Sequence, residues 1–348
     1  MASIVSFSAA RVIELIEEEE PALAQNEVRV RTLFSGISAG TELSTYRGTN
    51  PHLTKRWDAD LRLFVEGSAD EPFPVTNAGY EEVGEVVECG SAVRGVAVGD
   101  RIWGTWGHRS TAVLDAEFAG ARLLPATADP RVGMFSHIGA VALNAVIDAD
   151  IHVGETVAVF GLGVPGQLVA QLARLNGGRV IVIDGIASRR DLALELGAEV
   201  AIDPASNAVA ERIRELTGGR GADAAIEITG NYRALQEAAR SVAYNSRVCV
   251  AGFYQGEASE LRLGEEFHHN RVQLVSSQIS GQAASVQHRW NRYRLNCTIV
   301  ELATAGRLAV LPLISRELPY RDAAAAFRLL DENPHDVLQL VLDFTDAA

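Results

Sequence analysis

The chain has 348 residues, of which 47% are hydrophobic, so it is long enough for about two domains with buried cores. Its formal net charge of −14 argues against nucleic acid or an anionic membrane surface as the main partner. The net charge leaves a small-molecule substrate open, because the local charge of a site can oppose the charge of the whole protein.

The cysteine usage and the absence of long apolar runs indicate the compartment. Cys89, Cys249 and Cys297 lie far apart and form no C-x-x-C pair, so we expect reduced thiols and no cysteine-based structural zinc site. No run reaches 18 apolar residues, and the N-terminus has no basic region followed by an apolar one. We therefore predict a soluble, cytoplasmic protein without a membrane partner.

The first 125 or so residues have the pattern of strands separated by turns. Residues 28–38 (VRVRTLFSGIS) alternate between apolar and polar, and residues 82–104 carry strand-like valines punctuated by glycines. This spacing predicts a small, mostly antiparallel β domain.

After Pro130 the pattern changes to alternating helices and strands. Apolar residues recur at helical spacing from Met134 to Ile151. Strands are then predicted at 156–161, 179–184, 199–203, 222–230 and 247–253, with helices at 166–177, 188–198, 208–219 and 232–243 between them. This alternation predicts an α/β fold with a doubly wound parallel sheet, or Rossmann domain, at 139–282. The pattern becomes irregular after residue 283, so we expect 1–138 and 283–348 to form the β-rich domain.

A glycine-rich turn, GLGVPG, joins the first strand and first helix of the predicted Rossmann domain. Gly161 would make the tight turn, Gly163 would let the backbone approach a pyrophosphate, and Gly166 would let helix and strand pack closely. Val164 and Pro165 open the helix, whose positive N-terminal end would face the phosphates. The turn therefore predicts a dinucleotide site, and the alternative is a Rossmann-like domain that binds no dinucleotide.

Asp184, at the end of the second strand, indicates which dinucleotide binds. A carboxylate at this position can accept hydrogen bonds from the ribose hydroxyls of NAD and would repel the 2′-phosphate of NADP. Arg189 and Arg190 are the opposing signal, because guanidinium groups could bind that phosphate. We predict NAD in preference to NADP.

Four motifs together resemble the medium-chain dehydrogenase/reductases, the superfamily of alcohol, sorbitol and threonine dehydrogenases. They are GISAGTEL (36–43), residues 78–102 beginning AGYEEVGEVV, the GLGVPG turn, and TGGRGADAAIEITG (217–230). The resemblance covers nearly all of the chain and implies a GroES-like catalytic domain around the Rossmann domain. In that family the spacing from Asp184 to Arg189 recurs in NAD-dependent members.

The resemblance extends to the coenzyme contacts and to assembly. We expect Thr229, Gly252 and Phe253, at the ends of two later predicted strands, to contact the coenzyme as well. Residues 272–280 (VQLVSSQIS) match the strand through which the family often forms dimers, so we expect a homodimer or homotetramer.

The departures from the family pattern fall on its zinc ligands. Zinc-dependent members have a C-G-T-D run where this chain has A-G-T-E, so Ala39 takes the place of the first metal-binding cysteine. They have G-H-E where this chain has G-Y-E, so Tyr80 takes the place of the metal-binding histidine. The third ligand position falls on His137, and the four-cysteine lobe has no counterpart between Asp100 and Pro125. Because alanine and tyrosine are poor zinc ligands, we predict that both zinc sites are absent.

A zinc-free member needs another group to polarise the carbonyl or to exchange the proton. We predict that Tyr80 is this proton donor and that His137 tunes its acidity or relays its proton. Thr41 and Ser44 fall at the positions of the family's proton relay, and Glu81 at the family glutamate beside the metal. Tyr80 as a packed aromatic, His137 as a core histidine and the two hydroxyls as turn or cap residues are the alternatives.

A metal site that uses His137 with Glu81 or Glu42 is a further alternative.

For substrate contacts, the resemblance places Trp106 at an aromatic wall of the pocket, although it could equally be a core residue. Two clusters, NPHLTKRWD (50–58) and QHRWNRYR (287–294), mix His, Trp and Arg and could face a polar substrate. His52 and Arg56 are our candidates there, and a solvated face is the alternative.

The features together predict a zinc-independent, NAD-dependent dehydrogenase that interconverts a secondary alcohol and a ketone. A polyol, sugar or cyclitol is the expected substrate, because the motifs are closest to the sorbitol and threonine branch. A quinone or enone reductase is the second interpretation, since zinc-free relatives often have that activity. A dinucleotide-binding protein without turnover is the third.

Overall fold

A computed structural model describes residues 1–67, 72–205 and 208–347. In these ranges no helix is long and apolar enough to cross a membrane. The strands are β1 Ala2–Ala9, β2 Val12–Glu18, β3 Glu27–Ile37, β4 Lys55–Asp58, β5 Leu63–Glu66, β6 Glu82–Cys89, β7 Arg101–Gly104, β8 Thr111–Asp115, β9 Thr156–Phe160, β10 Arg179–Ile183, β11 Val200–Ile202, β12 Ala222–Glu227, β13 Val242–Val250, β14 Gln273–Ser276, β15 Ile314–Pro319 and β16 Gln339–Asp343. The helices are α1 Thr41–Tyr46, α2 Ala116–Gly120, α3 Phe135–Asp148, α4 Val164–Leu175, α5 Ala187–Glu195, α6 Val209–Leu216, α7 Tyr232–Ser241, α8 Arg292–Thr304 and α9 Ala323–Glu332.

The chain divides into two compact units, Met1–His137 with Ile314–Ala348, and Ile138–Leu313. The second boundary differs from the return at residue 283 that the sequence suggested. Helix α8, in a stretch expected to be irregular, begins after Asn291, whose side chain accepts the backbone N–H of Arg294. Its Ile299 packs against Gly139 of α3, within the same unit.

The first unit contains a six-stranded sheet in the order β15-β16-β3-β6-β7, with β8 also paired to β3. Its pairs are antiparallel except for β15 and β16, so the mostly antiparallel domain that the sequence predicted is present. One apolar cluster fills the space beside β3, β6 and β7 and includes Val30, Val86 and Ile102. A second cluster lies under α9 and includes Phe7, Phe327 and Phe344.

The second unit is a Rossmann domain with a six-stranded sheet in the order β11-β10-β9-β12-β13-β14, parallel in every pair. Strand β9 is buried along its whole length, as expected for the central strand of a sheet covered on both faces. The strand order reverses beside β9, between β10 and β12, and ligands of doubly wound sheets bind outside the carboxyl ends of the strands at such a point. The predicted fold class is confirmed.

Candidate active site

The glycine-rich turn follows β9 and opens α4, as the sequence predicted. Gly161 has a φ of +95°, which favours glycine, and Gly163 caps the helix with an extended ψ of 179°. A Cβ built on Gly166 would lie 1.9 Å from the carbonyl oxygen of Gly161, so only glycine allows this approach. Pro165 lies in the first turn of α4, where its missing N–H removes no helical hydrogen bond. These residues fit the pyrophosphate of a dinucleotide.

Asp184 lies directly after β10, and its carboxylate is fixed by the backbone. One oxygen accepts the N–H of Leu162 at 2.7 Å, inside the glycine-rich turn, and the other accepts the N–H of Ile186 at 2.7 Å. The carboxylate is therefore held beside the turn, with lone pairs left to accept hydrogen bonds from ribose hydroxyls.

The two arginines that opposed the NAD prediction differ in their surroundings. Arg190 donates to the carbonyl oxygen of Asp184 at 2.6 Å and to the carboxylate of Asp203 at 3.1 Å. These bonds direct the Arg190 guanidinium to acceptors of its own unit. Burial lowers the pKa of Arg189, and the charge of Asp184 partly opposes that effect. Arg189 thus lies close enough to Asp184 to be attracted by it.

A cleft of about 500 Å³ lies at the carboxyl ends of β9 and β10, where the ribose end of a dinucleotide is expected. Its walls include Phe160, Ile183, Asp184, Pro204, Thr229 and Asn231. The predicted coenzyme residues Gly161, Asp184 and Thr229 therefore meet at one cleft.

Glu227, which the sequence analysis did not single out, holds the turn around Thr229. It is fully buried, and its carboxylate accepts the backbone N–H of Thr229 at 2.8 Å and the hydroxyls of Thr229 and Tyr254. Burial raises the pKa of Glu227, although these hydrogen bonds oppose the rise. The sequence does contain a signal for this role. An acidic residue inside the apolar strand AAIEI is expected to be buried, and a buried carboxylate needs hydrogen-bond partners.

Gly252 and Phe253 follow β13 and lie against the same turn. A Cβ on Gly252 would lie 2.2 Å from the backbone nitrogen of Gly230, and a Cβ on Gly230 would lie 2.5 Å from the carbonyl oxygen of Phe253. The backbone here is packed too closely for a side chain. Phe253 itself is 45% exposed, so its ring is accessible to a ligand.

In the first unit, Tyr80 lies just before β6 with its hydroxyl among other hydroxyls. The Tyr80 hydroxyl donates to Oγ of Ser38, and the Thr41 side chain lies close enough to lower the pKa of Tyr80. The Tyr80 and His137 rings meet edge to face, with their centroids 4.9 Å apart. The pKa of Tyr80 is raised, first by burial and then by the charges of Glu81 and Glu42. The phenol is therefore protonated at neutral pH and acts as a hydrogen-bond donor.

Glu81 is buried beside Tyr80, and few hydrogen bonds offset the cost of burying its carboxyl group. It is 1% exposed, and neither carboxylate oxygen has a well-formed hydrogen bond to a described residue. Burial raises its pKa well above the ordinary value, the charges of Glu42 and Glu82 add to the rise, and the amide of Gln339 partly opposes it. Such a carboxyl group favours its neutral form.

A buried polar network centred on His108 was not predicted from the sequence. Nε2 of His108 lies 2.7 Å from Oε2 of Glu42, and Nδ1 of His108 lies 2.7 Å from Oγ of Ser35. Ser35 in turn donates to Oε1 of Glu82 at 3.0 Å. His108 is separated from Glu42 by 66 positions, so no local pattern links the two.

Two of the three zinc-ligand positions of the family, Ala39 and Tyr80, carry side chains that do not fit a tetrahedral zinc. Ala39 has no ligating atom, and the Tyr80 hydroxyl is hydrogen-bonded to Ser38. Within 1–67, 72–205 and 208–347, no group of three or more His, Cys, Asp or Glu side chains could hold a metal ion. The arrangement described here is one of hydroxyl, imidazole and carboxyl groups.

Ser44 and Trp106 each have hydrogen-bond partners within the first unit. The Ser44 hydroxyl donates to the carbonyl oxygen of Thr41 at 2.6 Å and accepts from the side chain of Asn50, which are bonds within and beside α1. The Trp106 indole N–H donates to Thr32 at 3.0 Å, and its ring packs on the apolar cluster beside β3. Trp106 is half-buried, and its contact with a substrate stays a prediction.

His52 and Arg56 lie at an exposed β-hairpin formed by β4 and β5. The His52 ring meets Phe64 edge to face at 5.1 Å, and the Arg56 guanidinium lies 3.6 Å from the carboxylate of Asp58. Both side chains are accessible, and their contact with a substrate stays a prediction.

Comparisons with known proteins identify the family. Residues 163–294 match the family described as zinc-binding dehydrogenase. D-guloside 3-dehydrogenase of Escherichia coli (strain K12) is 31% identical over 344 residues, covering 97% of this chain and 98% of the relative. Two solved structures each cover 99% of both chains: 2R,3R-butanediol dehydrogenase from Bacillus subtilis (TM-score 0.78, 22% identity), and a putative zinc-binding dehydrogenase from Sinorhizobium meliloti 1021 bound to NADP (TM-score 0.77, 23% identity).

The chain belongs to the medium-chain dehydrogenase/reductases, because a dehydrogenase relative is 31% identical over nearly its whole length. It is an NAD(P)-dependent oxidoreductase that acts on CH–OH and C=O groups. This membership disfavours the interpretation of a dinucleotide-binding protein without turnover.

Proposed function

We propose that this protein interconverts a secondary alcohol and a ketone with NAD and without zinc. The observation that carries the proposal is the part-buried Tyr80 side chain. Its hydroxyl is hydrogen-bonded to Ser38, its ring meets the His137 ring edge to face, and by resemblance it stands where zinc-dependent relatives have a metal-binding histidine. A group that stays protonated at neutral pH can perform the metal's task of stabilising negative charge on the substrate oxygen.

The coenzyme is held by the second unit. The N-terminus of α4 and the backbone at Gly163 would bind the pyrophosphate, and Asp184 would accept hydrogen bonds from the ribose hydroxyls. The next part of the coenzyme site is lined by Thr229, Gly252 and Phe253. Glu227 holds the turn at Thr229 in place. NAD held at this site would supply the hydride acceptor for alcohol oxidation, and NADH the hydride donor for ketone reduction. Asp184 makes NAD the preferred coenzyme, because its charge repels a 2′-phosphate.

Tyr80 supplies the proton. During reduction its hydroxyl donates a hydrogen bond to the carbonyl oxygen and then transfers its proton to the alkoxide that develops there. The neighbouring hydroxyls of Ser38 and Thr41 return a proton to the phenolate. His137 keeps the phenol ring in place through the edge-to-face contact and limits the access of water. During oxidation the same steps run in reverse.

The substrate is a polyhydroxy compound: a polyol, a cyclitol, a sugar or a glycoside. The similarity to D-guloside 3-dehydrogenase over nearly the whole chain supports this class, since that relative is named for oxidation of a glycoside. The exposed hairpin side chains His52 and Arg56 offer polar contacts for such a ligand. Cytoplasmic location and a homodimer or homotetramer remain part of the proposal.

Reduction of an enone or quinone is the second candidate. The protonated phenol of Tyr80 is compatible with this reaction too, because it can donate a hydrogen bond to the oxygen of an enolate or a quinone. A substrate panel separates the two: NAD with polyols, cyclitols, sugars and glycosides, and NADH with ketones, enones and quinones, followed by the absorbance of the reduced nicotinamide. Turnover confined to enones or quinones would overturn the alcohol assignment.

A further inference from the structure

His108 is the centre of a buried network that the proposed chemistry does not use. The residue is 1% exposed and lies between α1, β3, β6 and α9. A fully buried histidine with partners on both ring nitrogens is a fixed structural element, and such networks stabilise one geometry only when every member is satisfied. The geometry of its partners shows what it fixes.

The first connection runs through Glu42. One oxygen of Glu42 lies 2.7 Å from Nε2 of His108, and the other accepts the backbone N–H of Ser38 at 2.9 Å. Ser38 is the residue whose hydroxyl oxygen accepts the hydrogen bond from Tyr80. His108 therefore holds the Glu42 carboxylate in place. That carboxylate in turn holds Ser38, which accepts the hydrogen bond from the Tyr80 phenol.

The second connection runs through the backbone that carries Tyr80. The N–H of His108 donates to the carbonyl oxygen of Ala78 at 2.8 Å. Gly79 has a φ of +100°, and a Cβ there would lie 2.8 Å from Nδ1 of His108. The imidazole is thus packed directly against the peptide that precedes Tyr80.

We propose that His108 is a positioning residue that holds the Tyr80 hydroxyl in place, acting through Glu42 and Ser38 on one side and through Gly79 on the other. This role rests on the proposed function of Tyr80, but the state of the network can be measured without any substrate. His108 itself does not touch the reacting atoms.

The hydrogen bonds also define the protonation state of His108. The Ser35 hydroxyl donates its one proton to Glu82, so Nδ1 donates to Ser35 while Nε2 donates to Glu42, and both ring nitrogens carry protons. The charged groups that face the ring are Glu42 on α1 and Glu82 on β6, whereas Ser35 on β3 and Phe327 on α9 are neutral. Burial lowers the pKa of His108, but the two carboxylates outweigh this effect and raise it.

The first test uses the ¹⁵N chemical shifts of the imidazole rings in histidine-labelled protein. The His108 signals are assigned by their loss in His108→Gln. We expect a charged ring at pH 7 in the wild type and a neutral ring in Glu42→Gln, which removes the charge but keeps an oxygen for the Ser38 N–H. A neutral His108 ring in both proteins would overturn the assigned network, whether or not the enzyme turns over.

The second test is kinetic and depends on the proposed function. We expect His108→Gln to lower kcat by about tenfold to a hundredfold, because a small misplacement of a catalytic group has effects of this size, and to leave NADH affinity unchanged. Glu42→Gln should retain more activity than Glu42→Ala, since it preserves the bond to Ser38. His152→Gln, at a histidine whose side chain is 69% exposed, is the matched control and should behave as wild type.

An unchanged kcat in a folded His108→Gln variant would overturn the positioning role. Equal losses in Glu42→Gln and Glu42→Ala would also overturn it, because they would show that the bond to Ser38 has no effect. If wild-type protein turns over but Tyr80→Phe retains full rate, the proposed role of Tyr80 fails instead, while the ring signals still report the network.

Discussion

Replacing Glu81 by glutamine should change how the stability of the first unit depends on pH. The folded-state pKa of Glu81 is raised by burial and by the charges of Glu42 and Glu82, so it exceeds the value in the unfolded chain. The stabilisation from this neutral carboxyl is fully present below its unfolded pKa, near 4.3. It is lost as the pH rises towards the folded pKa.

The magnitude follows from proton linkage. Between the two pKa values, one such group lowers the free energy of unfolding by about 1.4 kcal/mol for every pH unit. The Glu81→Gln variant has no proton to lose at this position. The difference in unfolding free energy, variant minus wild type, should therefore grow by about this amount per unit from pH 5 up to the folded pKa. Glu82 and His108 act in the same direction in both proteins, so their effects cancel to first order.

The assay is urea unfolding from pH 5 to pH 8, followed by tryptophan fluorescence. Three of the four tryptophans, Trp57, Trp103 and Trp106, lie in the first unit, so the signal mainly reports that unit. The matched control is Glu88→Gln on β6, the strand that begins directly after Glu81, where the side chain is 55% exposed and no such growth is expected. A difference that stays constant over this pH range would refute the interpretation of Glu81 as a buried, neutral carboxyl.

Three further substitutions test the coenzyme site and the proton donor. Tyr80→Phe should lower kcat by about 100-fold or more and leave NADH affinity intact, because only the donor hydroxyl is removed; an unchanged rate would reduce Tyr80 to a packing residue. Asp184→Gly should weaken NAD binding and relax discrimination against NADP, measured by NADH and NADPH titration, and an unaltered preference would contradict the assigned role. Gly166→Ala should destabilise the second unit by about 1–3 kcal/mol and abolish NADH binding, since its methyl group would meet the Gly161 carbonyl oxygen at 1.9 Å. Gly163→Ala is the control for the effect on stability, because its methyl group would meet only Pro165, at 3.8 Å. Equal destabilisation by Gly166→Ala and Gly163→Ala would refute the packing argument.

The Rossmann domain was predictable because its signals are local. The alternation of buried strands with amphipathic helices and the glycine-rich turn each occupy a few consecutive residues, and β9, α4 and β10 lie within a few residues of their predicted places. Asp184 follows from the same pattern, since it directly ends β10. Short-range periodicity is sufficient for such a domain.

The site in the first unit was only partly predictable, because it depends on contacts between distant segments. Tyr80 and His137 were singled out by resemblance, and the structure brings their rings together. His108 and Glu42 were not paired, because 66 residues separate them and neither belongs to a shared motif. The hydrogen bond from the Trp106 indole N–H to Thr32 joins residues 74 positions apart, and no local pattern reveals it.

The position at which the chain leaves the second unit was also hard to predict from the sequence. Helix α8 combines basic residues with apolar ones such as Leu295 and Ile299, so its sequence has little helical amphipathicity. The side chain of Ile299 is buried against Gly139, and this packing rather than local propensity places the helix in the second unit.

The central claim is that Tyr80, rather than zinc, supplies the acid for hydride transfer. The most direct measurement is kcat with NAD and a polyhydroxy substrate from the panel, for wild-type and Tyr80→Phe protein, each dialysed against a strong chelator and checked for residual zinc. We expect full turnover by the metal-free wild type and a loss of about 100-fold or more in the variant. Activity that disappears with the metal and returns with added zinc, while Tyr80→Phe keeps its rate, would contradict the account.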